Sequence, residues 1–84
     1  MMDKSLIDLL EAESTFLRDK LLSEREISKR KAYLEDTDMP EGVRTYHTDC
    51  LADAESEFNE ASQALDKVRS FIAKYLKEIL AEYA

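Results

Sequence analysis

The sequence predicts an all-α protein: an antiparallel two-helix hairpin, coiled-coil-like, that assembles into a helical bundle. Three observations carry that expectation. From His47, alternating steps of four and three reach Leu51, Ala54, Phe58, Ala61, Leu65, Val68, Ile72, Tyr75 and Ile79, and every one is apolar or aromatic. That is the seam of a helix lying along another helix. Glycine and proline occur once each, as Gly42 and Pro40, whereas a β fold needs many turn residues. Ala, Leu, Glu and Lys, all strong helix formers, dominate the composition.

Eighty-four residues allow a single small domain spanning 1–84. The first helix is expected over about 4–34. Leu6, Leu9, Leu10, Phe16, Leu17, Leu21, Ile27 and Leu34 fall on one broad face at 100° per residue. Asp3 and Asp8 near its start and Lys29, Arg30 and Lys31 near its end suit the helix dipole. Glu13, Lys20, Glu24 and Lys31 also project toward this face. Glu24 and Lys31, level with Ala54 and His47, either snorkel to solvent or specify the register.

The turn is expected over about 35–42, where both helix breakers lie. Asp38 and Glu41 have the spacing of a capping box, with Pro40 in the first turn. The second helix is expected over about 43–83. A short break between long helices favours an antiparallel pair. Folding there places residue i beside about residue 78 minus i. Leu6 then meets Ile72, Leu10 meets Val68, Leu17 meets Ala61 and Ile27 meets Leu51.

Charge agrees with that fold. The net charge is −7, distributed as −3 over residues 1–19, +3 over 20–34, −9 over 35–66 and +2 over 67–84. Folding back sets opposite signs side by side, and the turn end still totals −6. Such a pole repels nucleic acid and membrane surfaces and attracts basic protein surfaces. Direct nucleic-acid binding and membrane insertion are therefore not expected. The one cysteine, Cys50, forms no internal disulfide, which points to a reducing, cytoplasmic setting. The start of the chain carries Asp3 and Asp8 where a signal peptide needs a basic and then an apolar run.

Two helices have one contact line, yet apolar residues spread beyond it. Phe71, Leu76, Ile79, Leu80 and Tyr83, with Ile7 and Leu22 opposite, are the expected partner interface. A core in a chain of this size rarely supplies more than ~3–5 kcal/mol. Further helices must complete it, from a homodimer forming a four-helix bundle or from another protein lying in the groove.

Candidate chemistry is thin. Asp49, Asp53, Glu57 and Glu60 form an acidic docking face on the second helix. Metal-dependent helical nucleotide hydrolases use carboxylates at such spacing, but they need a second acidic pair from another helix; Glu11, Glu13, Glu24 and Glu26 could supply one, and no full motif is met. His47 and Cys50, three apart, make only half of a tetrahedral site. A Cys–His nucleophile lacks an orienting third group and an enclosed pocket. No enzyme activity, metal or cofactor is expected.

The size, acidity and two-helix layout resemble those of small helical secretion chaperones, including the needle-subunit co-chaperones of type III secretion. Small phage-encoded inhibitors of host enzymes share the same layout. The resemblance implies binding to a protein client or target. The expected function is thus protein–protein binding, as an adaptor, co-chaperone or inhibitor. The alternative is an acidic rod that mimics nucleic acid and blocks a nucleic-acid-binding enzyme. A metal-dependent hydrolase ranks behind both.

Overall fold

The computed structural model describes residues 4–83; Met1, Met2, Asp3 and Ala84, and with them the expected dipole role of Asp3, lie outside those residues. Two helices make up the fold, α1 (Lys4–Leu34) and α2 (Glu41–Tyr83). They pack as an antiparallel hairpin. Arg30 bonds His47, Lys20 lies over Phe58, and Glu13 pairs with Arg69. The first two pairs fall within a residue of the expected register. The third lies four residues off it, a shift that two long side chains span.

The α2 seam packs as its spacing predicts, with every position from His47 to Ile79 buried or half-buried. The α1 seam differs from the expected face. It runs through Leu6, Leu9, Glu13, Phe16, Lys20, Ser23, Ile27, Arg30 and Leu34, all buried or half-buried. Leu10, Leu17 and Leu21 point outward instead, Leu21 with 54% exposure. The physical reason is width. A helix pair has room for two positions per heptad, and the broad apolar face of α1 holds more than two. Leu9 and Phe16 therefore stand level with Val68 and Ala61, the places expected for Leu10 and Leu17. Glu24 and Lys31 are exposed as well, so neither specifies the register. That role falls to Glu13, Lys20, Ser23 and Arg30.

Layers alternate in size along the seam. Phe16 stands level with Ala61, and Ser23 with Ala54. The large Phe58 ring faces Lys20, whose Nζ sits 5.6 Å from the ring centre, a cation–π contact. Among the described residues, only Ser23, Ala54, Ala61 and Leu65 are buried.

Asp38 does not form the expected capping box. α2 begins at Glu41, and Pro40 O accepts the first helical bond, from Arg44 N at 2.9 Å. Pro40 thus holds the N-cap position, and its missing N–H leaves no donor to satisfy. Asp38 N instead donates to Asp36 Oδ1 at 3.0 Å, a local turn bond. The turn spans residues 35–40, two residues shorter than expected. Glu35 N and Asp36 N donate to Ala32 O and Tyr33 O, which tightens the end of α1. Arg44 then caps that end, donating to Leu34 O and Asp36 O. Its positive charge also sits where the helix dipole is negative.

The shape is a rod, 65 × 17 × 14 Å, with a radius of gyration of 18.9 Å. A compact domain of this length has a radius of about 12 Å. The exposed area is 6538 Å², against about 5,100 Å² for a compact protein of this mass. α2, at 43 residues, is twelve residues longer than α1, at 31. Its last turns therefore run past the described start of α1.

Candidate protein-interaction surfaces

The seam divides the rod into two sides of different chemistry. On one side, stepping three and four along α1 gives Ile7, Leu10, Ser14, Leu17 and Leu21, all exposed. The same steps along α2 reach Ala73, Leu76, Leu80 and Tyr83, also exposed. Leu80 is 69% exposed and Tyr83 85%. This leucine side has no helix of its own chain against it, and it is apolar in two stretches, on α1 and at the end of α2; between them the α2 row carries the exposed Glu55, Asn59, Asp66 and Arg69.

The other side carries an open groove of about 550 Å³, lined by Phe16, Asp19, Leu22, Ser23, Glu26, Glu57, Glu60, Ala61 and Ala64. Phe16, Leu22, Ala61 and Ala64 supply apolar wall. Asp19 and Glu26 of α1 stand with Glu57 and Glu60 of α2, and no base lines the groove. It is open because Ser23, Ala54 and Ala61 lie along the seam beside it, and small side chains leave space there. A shallower groove of about 240 Å³ lies further along the same side, lined by Leu9, Phe71, Lys74, Tyr75 and Glu78.

The seven expected interface residues do not gather on one surface. Ile7, Leu76, Leu80 and Tyr83 lie on the leucine side. Leu22 and Phe71 line the two grooves of the other side. Ile79 lies on the seam and is half-buried. Leu10, Leu17 and Leu21 join the leucine side in their place. Of the acidic face, Asp49, Asp53, Glu57 and Glu60 are all exposed, and the last two reach the groove. Glu26 is one of the α1 acids, with Glu11, Glu13 and Glu24, that the sequence offers as a second acidic group, whereas Asp19 is an acid that sequence reasoning missed. The signal for both is the heptad: with the α1 seam set at Phe16, Ser23 and Arg30, positions 19 and 26 flank it.

A tight cluster closes the turn end. Arg30 Nη1 is 2.8 Å from His47 Nδ1, and Arg30 Nε donates to Glu26 Oε1 at 2.6 Å. The bond to Glu26 raises the Arg30 pKa above its already high ordinary value. Tyr33 lies tilted against His47 and Tyr46 meets it edge-on, with ring centres 4.8 and 5.4 Å away. Cys50 is half-buried and free. Among the described residues, no three His, Cys, Asp or Glu side chains converge as a metal site. No helix of the described residues is long and apolar enough to cross a membrane.

No protein-family model matches the chain, and no curated protein or solved structure is similar to it.

Proposed function

We propose that this protein acts by binding another protein through an apolar helix face, as an adaptor, co-chaperone or inhibitor, and not as an enzyme. One observation carries the reading. The hairpin buries four described residues yet leaves Ile7, Leu10, Leu17 and Leu21 of α1 and Leu76 and Leu80 of α2 uncovered on one side. Apolar surface of that extent on a soluble rod is the mark of an interaction site. A reducing, cytoplasmic setting suits the single free thiol of Cys50. The test is affinity capture with the wild type and with the Leu76→Asp, Leu80→Asp variant, followed by reconstitution from purified components. The wild type is expected to hold a partner that the variant loses while its helix content is kept. A variant that holds the partner equally well removes the reading.

The groove favours a second reading. Asp19, Glu57 and Glu60 over an apolar wall, with Glu26 beside them held by Arg30, suit a basic protein surface. An acidic rod of this kind can imitate nucleic acid and block an enzyme that binds it. Reversing Asp53, Glu57 and Glu60 to Lys then abolishes inhibition of such an enzyme with the fold intact. Inhibition that survives the reversal excludes mimicry.

A further inference from the structure

We propose that the groove beside the seam seats one amphipathic helix of another protein, with small and aliphatic residues in its apolar stripe and Lys or Arg along both flanks. The inference rests on the protein-binding reading and adds a second face to it, on the side of the rod away from Leu76 and Leu80.

Shape is the first support. The groove follows α1 from Phe16 to Glu26, a length of about 15 Å, or about three turns of a docked helix. Three turns are enough for anchors at i, i+3 or i+4 and i+7. Ala61 and Ala64 line the α2 side, and small side chains let a third helix axis come near. Phe16 is half-buried and Leu22 is exposed, so both offer apolar surface to an occupant. A helix fits this wall better than an extended segment does. It keeps its backbone groups bonded within itself, whereas an extended backbone lays N–H and C=O groups on apolar surface without partners.

Charge names the flanks. Asp19 stands on the α1 rim and Glu57 and Glu60 on the α2 rim, and none of the three is in an ion pair among the described residues. Two seam bases nearby are engaged elsewhere: Arg30 bonds Glu26 and His47, and Lys20 lies over Phe58. Acids on both rims with an apolar wall between them ask for bases on both flanks of the occupant's stripe. One row faces Asp19, and the other faces Glu57 and Glu60. The same carboxylates work against nucleic acid and against a second copy of this chain, of net charge −7.

An independent mark lies on the seam itself. Ser23 is 7% exposed and lines the groove, and its hydroxyl forms no hydrogen bond among the described residues. Ala54 and Ala61 fill seam places of the same kind with no polar atom. A helix seated over Ser23 shuts the hydroxyl off from solvent, so a polar side chain must stand opposite it. The occupant's stripe therefore carries one Asn, Gln, Ser or Thr near its middle.

The probe is a synthetic helix of about 15 residues, with Leu and Ala in the stripe, Asn at its middle and Lys on both flanks. Its scrambled isomer keeps the composition and loses the stripe. Each is titrated into the full, isotope-labelled chain at physiological salt, and amide resonances are followed. Shifts are expected to be confined to residues 16–26 and 57–64. The isomer is expected to bind at least about tenfold more weakly. Asp19→Lys with Glu57→Lys and Glu60→Lys is expected to lose at least about tenfold in affinity. Glu11→Lys with Glu55→Lys and Asp66→Lys makes the same charge change outside the groove and is expected to alter affinity by less than about threefold. Ala64→Phe fills the groove without touching charge and is expected to lose the probe as well. Circular dichroism checks that each variant keeps its helices, and the isomer needs no variant at all. Equal binding of the isomer, equal effects of the two reversals, or shifts centred on the acidic turn end overturn the proposal, because charge alone then attracts the probe. A chain of twice 9.7 kDa by light scattering that turns monomeric on Ala64→Phe holds a second copy in the groove and overturns it too. Probe binding that disappears with Leu76→Asp and Leu80→Asp sinks the groove and leaves the protein-binding reading standing. Probe binding in the groove, with no partner captured through Leu76 and Leu80, does the reverse.

Discussion

Arg30 of α1 donates an N–H to Nδ1 of His47 on α2, at 2.8 Å. Accepting that bond puts the ring proton of a neutral His47 on Nε2. The same guanidinium bonds Glu26 and lies 5.5 Å from the centre of the Tyr46 ring. One planar group therefore ties the two helices together just before the turn. Arg30→Ala and His47→Ala are each expected to lower the urea midpoint. The double variant is expected to lose less than the two single losses together, because both break one bond. Arg30→Lys is expected not to restore the midpoint, since an ammonium lacks the fork that serves Glu26 and His47 at once. Additive losses would show that the pair is not coupled.

Leu65 is the most buried side chain, at 1% exposure. Truncating a buried leucine to alanine costs about 2–5 kcal/mol, and a core of this size supplies little more than that. Leu65→Ala is therefore expected to lose most of its helix signal at room temperature by circular dichroism. A variant that melts within a few degrees of the wild type would mean that Leu65 is not the centre of the packing.

Ala54 is buried level with the buried Ser23, where the helices have the smallest side chains between them. Ala54→Leu is expected to cost about 1–3 kcal/mol, because added methylenes in a packed layer force the helices apart. Ala52, two residues away and exposed, is the control for the free chain. Ala52→Leu is expected to stay within about 0.5 kcal/mol under monomeric conditions. Urea unfolding of the two variants checks the contrast.

Arg44 caps the end of α1 from the start of α2. Arg44→Ala leaves the Leu34 and Asp36 carbonyls without that donor and is expected to cost about 1–2 kcal/mol. Hydrogen exchange of residues 32–36 is expected to quicken more than that of the mid-rod amides. Equal quickening everywhere would mean that the cap acts only through global stability.

The α2 seam was legible because its positions repeat without interruption for more than thirty residues. The pairing direction was legible because the only glycine and proline sit together between two long helical patterns. The facing of α1 was not. Its leucines occupy more rows than one seam holds, so Leu10 and Leu17 compete with Leu9 and Phe16 for the same layers. Periodicity cannot arbitrate between adjacent rows; side-chain size against Ala61 and Val68 does. The cap was missed for a related reason. Arg44, the lone base among ten acids in residues 35–66, carries its role in where it reaches across the turn, and spacing along one helix does not record that. Asp19 comes into view as a groove acid only once the α1 seam is set.

The twelve-residue difference in helix length makes the end of α2 its own reporter. Amides in an unbraced terminal helix open by fraying and exchange with deuterium long before those of a braced segment. Slow exchange over residues 76–83 would therefore register that something grips the chain there, whatever its identity.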